Sequence, residues 1–104
     1  MGRHALTAII YDKKGRVLSI GQNNYTKSHT VQAKYAKSAG KPENIFLHAE
    51  IHAIIKCRNL KKAHKIFIAR HDKKGNPRLA KPCEICQGAI KEAGIKVIEY
   101  TVDE

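Results

Sequence analysis

The sequence has no tryptophan, three prolines, three cysteines and only nine acidic residues among its 104. Two of the cysteines stand at C-x-x-C spacing and the third is alone, which cannot staple a small secreted fold. They fit a reducing compartment, where that spacing serves metal or redox chemistry, and a cytoplasmic location is expected. No apolar run approaches the roughly 18 residues that cross a bilayer. The longest candidates, such as Leu6 to Tyr11, are followed at once by Asp12, Lys13 and Lys14, which excludes a membrane span and argues against a cleaved secretion signal. Met1-Gly2 opens like a myristoylation signal, but Leu6 stands where that signal requires Ser or Thr. With 42% hydrophobic residues and only seven scattered glycines, collagen-like, low-complexity and fully disordered chains are excluded. The length has a ceiling of one domain, residues 1–104.

Against nine acids stand 20 Lys and Arg, a net charge of +11. Such a field attracts nucleotide phosphates, nucleic acid or an anionic surface. The same excess also serves solubility, so charge alone does not choose.

Thr7 to Tyr11 and Arg16 to Ile20 are β-rich runs separated by Asp12-Lys13-Lys14-Gly15, a hairpin signal. Residues 22–46 form a polar stretch too long for an idle loop, and Val31, Tyr35 and Ala36 after Ser28 and Thr30 predict a short helix ending near Gly40. Leu47, Ile51, Ile54 and Ile55 repeat at helical spacing and predict a buried stripe on a helix running to Arg58. Lys65 to Ala69 reads as a strand that ends in the turn-rich 72–77 loop. Pro82 opens a second helix with the stripe Cys86, Ala89, Ile90 and Ala93, stopped by Gly94, and Ile95 to Tyr100 is a last strand. The alternation predicts an α/β layered sheet, mixed in direction, with an N-terminal hairpin and parallel later strands. No internal repeat or domain boundary is visible.

His48-Ala49-Glu50 opens the first strong helix and Pro82-Cys83-Glu84-Ile85-Cys86 the second. Cys83 and Cys86, three apart, turn both sulfurs to one side of a helical turn, and thiolates suit zinc. A helix N-terminus lowers a thiol's pKa through its free amide donors. His48 supplies a third ligand and leaves the fourth tetrahedral position to water, which marks a catalytic site. Two other readings compete. A structural zinc knuckle needs a fourth protein ligand, for which the candidates are Cys57 and the other histidines, His52 being the nearest. A thiol redox pair would follow its strand without so long a loop and without His48 and Glu50. The joint pattern favours the three-ligand zinc site.

At these residues the chain resembles the zinc-dependent cytidine and deoxycytidylate deaminases, a family that extends to tRNA adenosine and polynucleotide cytosine deaminases. His48-x-Glu50 and Pro82-Cys83-x-x-Cys86 match its motif, and the resemblance covers about Leu6 to Tyr100. The run His48 to Ile54 looks most like the small deoxycytidylate-type or phage-type enzymes. The resemblance implies a compact cytidine-deaminase-like αβα or αβ domain that binds Zn2+ through His48, Cys83 and Cys86. It implies hydrolytic deamination with Glu50 as the catalytic proton carrier, and Gly21-Gln22-Asn23 resembles the sugar-contacting segment. Asn23, with Asn24 as the competing choice, and Ala49 are the expected substrate contacts. His-x-Glu puts the carboxylate about 200° around a helix from the imidazole, so both can border only a site above the helix N-terminus. The family has a helix before its first strand and often further elements after the fourth. This sequence has room for neither, which leaves one sheet face bare, covered by residues 28–39, or buried in a homo-oligomer.

Cys57 reads as a small core hydrophobe and His4, His29, His64 and His71 as solvated. Tyr25, Tyr35 and Phe46 are either core or stacking groups for a base. Lys34, Lys37, Lys41, Lys73, Lys74, Arg78 and Lys81 bracket the site in sequence and could hold phosphate, although solvated lysines are commoner. The expected substrate is a free cytosine nucleoside or nucleotide, because 6% aromatics offer little stacking platform for a polynucleotide. A deaminase of cytosine or adenine within RNA or single-stranded DNA is the alternative. A zinc-stabilised nucleic-acid-binding module without turnover is more distant, since it would leave Glu50 idle. No membrane partner is expected.

Overall fold

The hydrophobic alternation of the first strand sets the architecture. In the computed structural model, which describes residues 5–23, 33, 34, 37 and 48–103, β1 (Ala5–Tyr11) points Leu6, Ala8 and Ile10 to one face of a sheet. It pairs antiparallel with β2 (Val17–Gln22) on one side and with β3 (Lys65–His71) on the other. The free edge of β3 is shared end to end. β5 (Val97–Tyr100) pairs parallel with Lys65 to Ile68, and the two-residue β4 (Pro77–Arg78) pairs antiparallel with Arg70 and His71. At the join, Thr101 Oγ accepts the Arg70 N–H at 3.0 Å and donates to the Arg78 carbonyl at 2.6 Å. The sheet is therefore mixed, with the expected hairpin and a parallel β3–β5 pair. Residues 77–78, expected as loop, form a strand because this leftover edge needs partners.

Two helices lie on the Ala8 face: α1 (Ala49–Lys56) and α2 (Glu84–Glu92), with a 3-10 turn at Leu60–Lys62 after α1. The expected Ile51, Ile54 and Ile55 stripe is corrected here: Ile51 is fully buried, but Ile55 is 38% exposed and the sheet-facing residues are Ala49 and Ala53. The cause is Gly21. A Cβ at that position would stand 2.5 Å from the Ala49 carbonyl oxygen and closer still to the Ala53 amide nitrogen. Only glycine opposite an alanine pair lets helix backbone and strand approach this closely, so the larger Ile51 turns sideways to pack with Ile85, Cys86 and Ala89 of α2. Ser19 Oγ donates to the Ala53 carbonyl and fixes the seat. Gly21→Ala is expected to cost at least about 3 kcal/mol, because the obstacle is backbone that cannot rotate away. Thermal denaturation reads this as a Tm fall of about 10 °C or more, and an unchanged Tm would mean that α1 is not seated on this glycine.

The same turn is built twice. Asp12-Lys13-Lys14-Gly15 joins β1 to β2, and Asp72-Lys73-Lys74-Gly75 joins β3 to β4. In the first, Asp12 Oδ1 accepts the Lys14 and Arg16 amides at 2.9 Å; in the second, Asp72 Oδ1 accepts the Lys74 and Asn76 amides at 2.9 and 3.0 Å. Gly15 and Gly75 take φ of 80° and 85°, which the lysines preceding them could not adopt without strain. An arginine closes each turn, Arg16 at 2.8 Å and Arg78 at 2.9 Å from the second carboxylate oxygen. Both carboxyls lie below their ordinary pKa, held there first by the Arg16 amide at Asp12 and the Asn76 amide at Asp72. A carboxyl depressed on folding stabilises the fold above its unfolded pKa of about 3.9 and loses that contribution as pH falls through the folded value. Asp12→Ala and Asp72→Ala should therefore each lower the Tm at pH 7 and change it little at about pH 2, where the wild-type carboxyls are protonated too. Equal losses at both pH values would contradict this.

The sheet's other face carries Ile9, Tyr11, Ile20, Phe67 and Val97, with Lys65 Nζ lying 4.9 Å from the Tyr11 ring centroid. Ile20 is 45% and Val97 36% exposed, so this is the incompletely covered face. Of the helix expected between residues 28 and 40, Ala33, Lys34 and Lys37 are helical, and Lys34 reaches Glu92 of α2 at 3.5 Å. The rest of that expectation, with Leu47, Tyr25, Tyr35, Phe46 and Lys41, lies outside the described residues.

Candidate active site

The seat on Gly21 runs α1 antiparallel to β2 and brings its N-terminus to the sheet end where β2 finishes and β1 begins. His48 is the N-cap residue of α1, in extended conformation, and Cys83 is the N-cap residue of α2. Neither side chain caps its own helix, and both face the gap between the two N-termini. Cys86, one turn into α2, is fully buried and turns toward the same gap. The His48 Nδ1 atom lies 3.2 Å from Cys86 Sγ and 3.6 Å from Cys83 Sγ, and the three donor atoms lie within 4.8 Å of one another.

These distances can be compared with what a metal requires. Tetrahedral zinc, with Zn–N of about 2.0 Å and Zn–S of about 2.3 Å, separates a nitrogen from a sulfur ligand by about 3.5 Å. The borderline-soft donor set of one imidazole and two thiols fits the same ion. Among the described residues no fourth His, Cys, Asp or Glu joins the cluster. Cys57 caps the opposite end of α1 and packs against the core, as expected of a small hydrophobe. His52 Nδ1 accepts the Gln22 backbone N–H at 3.0 Å. Cys57 and His52 are thus engaged elsewhere, and among the described residues the structural knuckle has no fourth donor.

Neighbouring groups set the acidities within the cluster. The Cys86 thiol, hydrogen-bonded to Cys83, holds the Cys83 pKa down to about 3, helped by His48. That same bond, together with burial, raises Cys86. His48 is raised in turn by the Cys83 sulfur, against the opposing pull of burial. A divalent cation would favour the deprotonated thiols and the neutral imidazole, so its binding would release protons. Glu50, in the first turn of α1, is only 6% exposed, and burial raises its pKa above the ordinary carboxylate value. Its own amide and the Cys86 thiol pull the other way. His48 and Glu50 do border one site above a helix N-terminus, as their spacing requires.

The expected substrate contacts fare unequally. Asn23 Oδ1 accepts the Leu6 N–H at 3.0 Å, tying the end of β2 to β1 at the mouth of the site. Ala49 is fully buried, so its methyl belongs to the core. Asn24 lies outside the described residues. Sequence reasoning missed the part played by Gly21 and by the Ala49 and Ala53 pair. The available signal was two alanines at i and i+4 on a helix facing a strand glycine.

A mixed α/β sheet whose two helix N-termini bring two thiols, an imidazole and a buried carboxyl together offers zinc the donor set of a zinc-dependent hydrolase. The cytidine and deoxycytidylate deaminase zinc-binding family matches residues 2–102, and the chain belongs to it. It is thus an enzyme domain of the cytidine deaminase type with Zn2+ as cofactor. No curated protein matches the chain well enough to count as a relative. No helix among the described residues is long and apolar enough to cross a membrane.

Proposed function

We propose that the chain, acting as a single domain over residues 1–104, hydrolyses a free cytosine nucleoside or nucleotide to its uracil form and releases ammonia. His48, Cys83 and Cys86 are the metal ligands and Glu50 the catalytic residue. The observation that carries this reading is the buried Glu50 carboxyl beside a three-donor cluster. Zinc held by His48, Cys83 and Cys86 would supply a Lewis acid that lowers the pKa of water from about 15.7 toward 7. Glu50 takes a proton from water and gives it to the ring nitrogen beside the attacked carbon. It then transfers the second proton to the departing amino group, so that water and the amino compound become the carbonyl compound and ammonia. Its raised pKa suits a group that must carry a proton in both directions.

Asn23, whose Oδ1 is engaged, has Nδ2 left to donate to a sugar hydroxyl. Ala49 contributes only backbone, since its side chain is buried. The Asp72 to Asn76 turn lies at the same end of the sheet, with Lys73 and Lys74 exposed, while Arg78 is held by Asp72. These two lysines and Lys81 suit the single phosphate of a nucleotide. The charge of +11 favours the second reading, a cytosine or adenine deaminase acting on RNA or single-stranded DNA. Ammonia release across cytidine, deoxycytidine, their monophosphates and a cytosine-containing oligonucleotide decides between them. Turnover on the oligonucleotide alone, falling with salt, establishes the second reading. Binding without turnover on any of them leaves the non-catalytic zinc module.

Free thiols at the metal cluster suit the reducing cytoplasm. The incompletely covered face around Ile20, Phe67 and Val97 supports assembly into a homo-oligomer. Light scattering should give a mass at least twice 11.6 kDa. A monomer mass at micromolar concentration would contradict this.

A further inference from the structure

A second charged feature lies at the end of the sheet opposite the zinc cluster. β1 carries the chain roughly 20 Å from the site mouth to the Asp12 turn, at about 3.3 Å per residue. There the turn, the 3-10 segment after α1 and the segment leading into β5 enclose a cleft of about 480 Å³. Its walls carry Lys13, Lys14 and Arg16 from the turn, Lys61 and Lys62 from the 3-10 segment, and Lys96. Asp12 is the one acidic residue among the lining residues, and its carboxylate is bonded to Arg16 and to the turn amides. Among the described residues none of the five lysines has a carboxylate within ion-pair distance.

The character of these cations selects the ligand. All six are exposed, and none is a buried, pre-aimed donor of the kind that holds one small desolvated anion. Lysines on flexible stems act as point charges that follow a row of phosphates. Binding of this kind draws its free energy from counterions released by a polyanion. The geometry points to a binding site for the sugar-phosphate backbone of a nucleic-acid strand in this cleft, separate from the zinc cluster and independent of deamination.

The test uses a fluorescein-labelled oligothymidylate of about twelve nucleotides. Thymine has no exocyclic amino group to lose, so the probe reports binding alone, and failure here leaves the deaminase reading untouched. Anisotropy at about 50 and 200 mM salt should show affinity falling steeply, with a log–log slope of about 0.7 per phosphate contact. Lys61→Glu/Lys62→Glu should weaken binding more than about tenfold and flatten that slope by about 1.4 units. Lys13→Glu/Lys14→Glu should do the same from the other wall. Lys56→Glu/Lys91→Glu, an identical change of charge at exposed helix positions that do not line the cleft, should weaken binding less than about threefold. Equal losses in all three variants would show that net charge alone drives binding and would overturn the site, as would no loss in the first two. Displacement of the probe by inorganic tripolyphosphate as readily as by unlabelled strand at equal phosphate concentration would also overturn it, in favour of a discrete anion pocket.

Discussion

Glu50→Gln is expected to keep its zinc and its fold and to lose at least about 100-fold in ammonia release, the lower end of what a positioned proton carrier contributes. Glutamine has nearly the same shape, so the packing beside Ile51 and Cys86 is preserved. Burial already disfavours the charged carboxylate, so removing the charge is not expected to destabilise the domain. What disappears is the ability to accept a proton. The kinetic signature should be a fall in kcat with little change in substrate affinity. A variant with wild-type turnover would remove Glu50 from the mechanism.

The zinc ligands should give the opposite pattern. Cys83→Ser and Cys86→Ser replace a thiol that becomes an anion under a metal with a hydroxyl that does not. Each is expected to drop the metal content from one zinc per chain to less than about a tenth. Cys57→Ser should retain it, since that thiol packs in the core at the far end of α1. Cys86→Ser should also cost more stability than Cys83→Ser, because Cys86 is fully buried against Ile51, Ile85 and Ala89, whereas Cys83 is half-buried. Metal analysis of protein purified without added zinc reads the first result. Zinc lost on changing Cys57 would revive a structural site of four ligands.

The site was more legible in the sequence than the fold details that support it. His48, Glu50, Cys83 and Cys86 announce themselves because metal chemistry restricts residue type and spacing together, and helix starts place them at two N-termini. The alternation of Leu6, Ala8 and Ile10 likewise exposes β1. Ile55 misled because helical periodicity says which residues share a face, not how closely that face approaches its neighbour. The approach was set by Gly21 on a different strand, and no local pattern around α1 encodes it. The short β4 was hidden for a related reason: Pro77 and Arg78 pair only because β3 extends beyond β5 and leaves Arg70 and His71 with a free edge. The repeated Asp-Lys-Lys-Gly turn was readable as residues, but its carboxylate bonding pattern needed both flanking strands in place.

The most direct measurement is a zinc titration of metal-free protein, with ammonia release followed on deoxycytidine monophosphate and cytidine. Turnover should be absent without metal, rise in proportion to bound zinc, and level off at one zinc per chain, with Glu50→Gln binding the same single zinc and staying flat. Turnover that is already complete in the metal-free protein, or one zinc bound with no release from any cytosine substrate, would contradict a zinc-dependent cytosine deaminase.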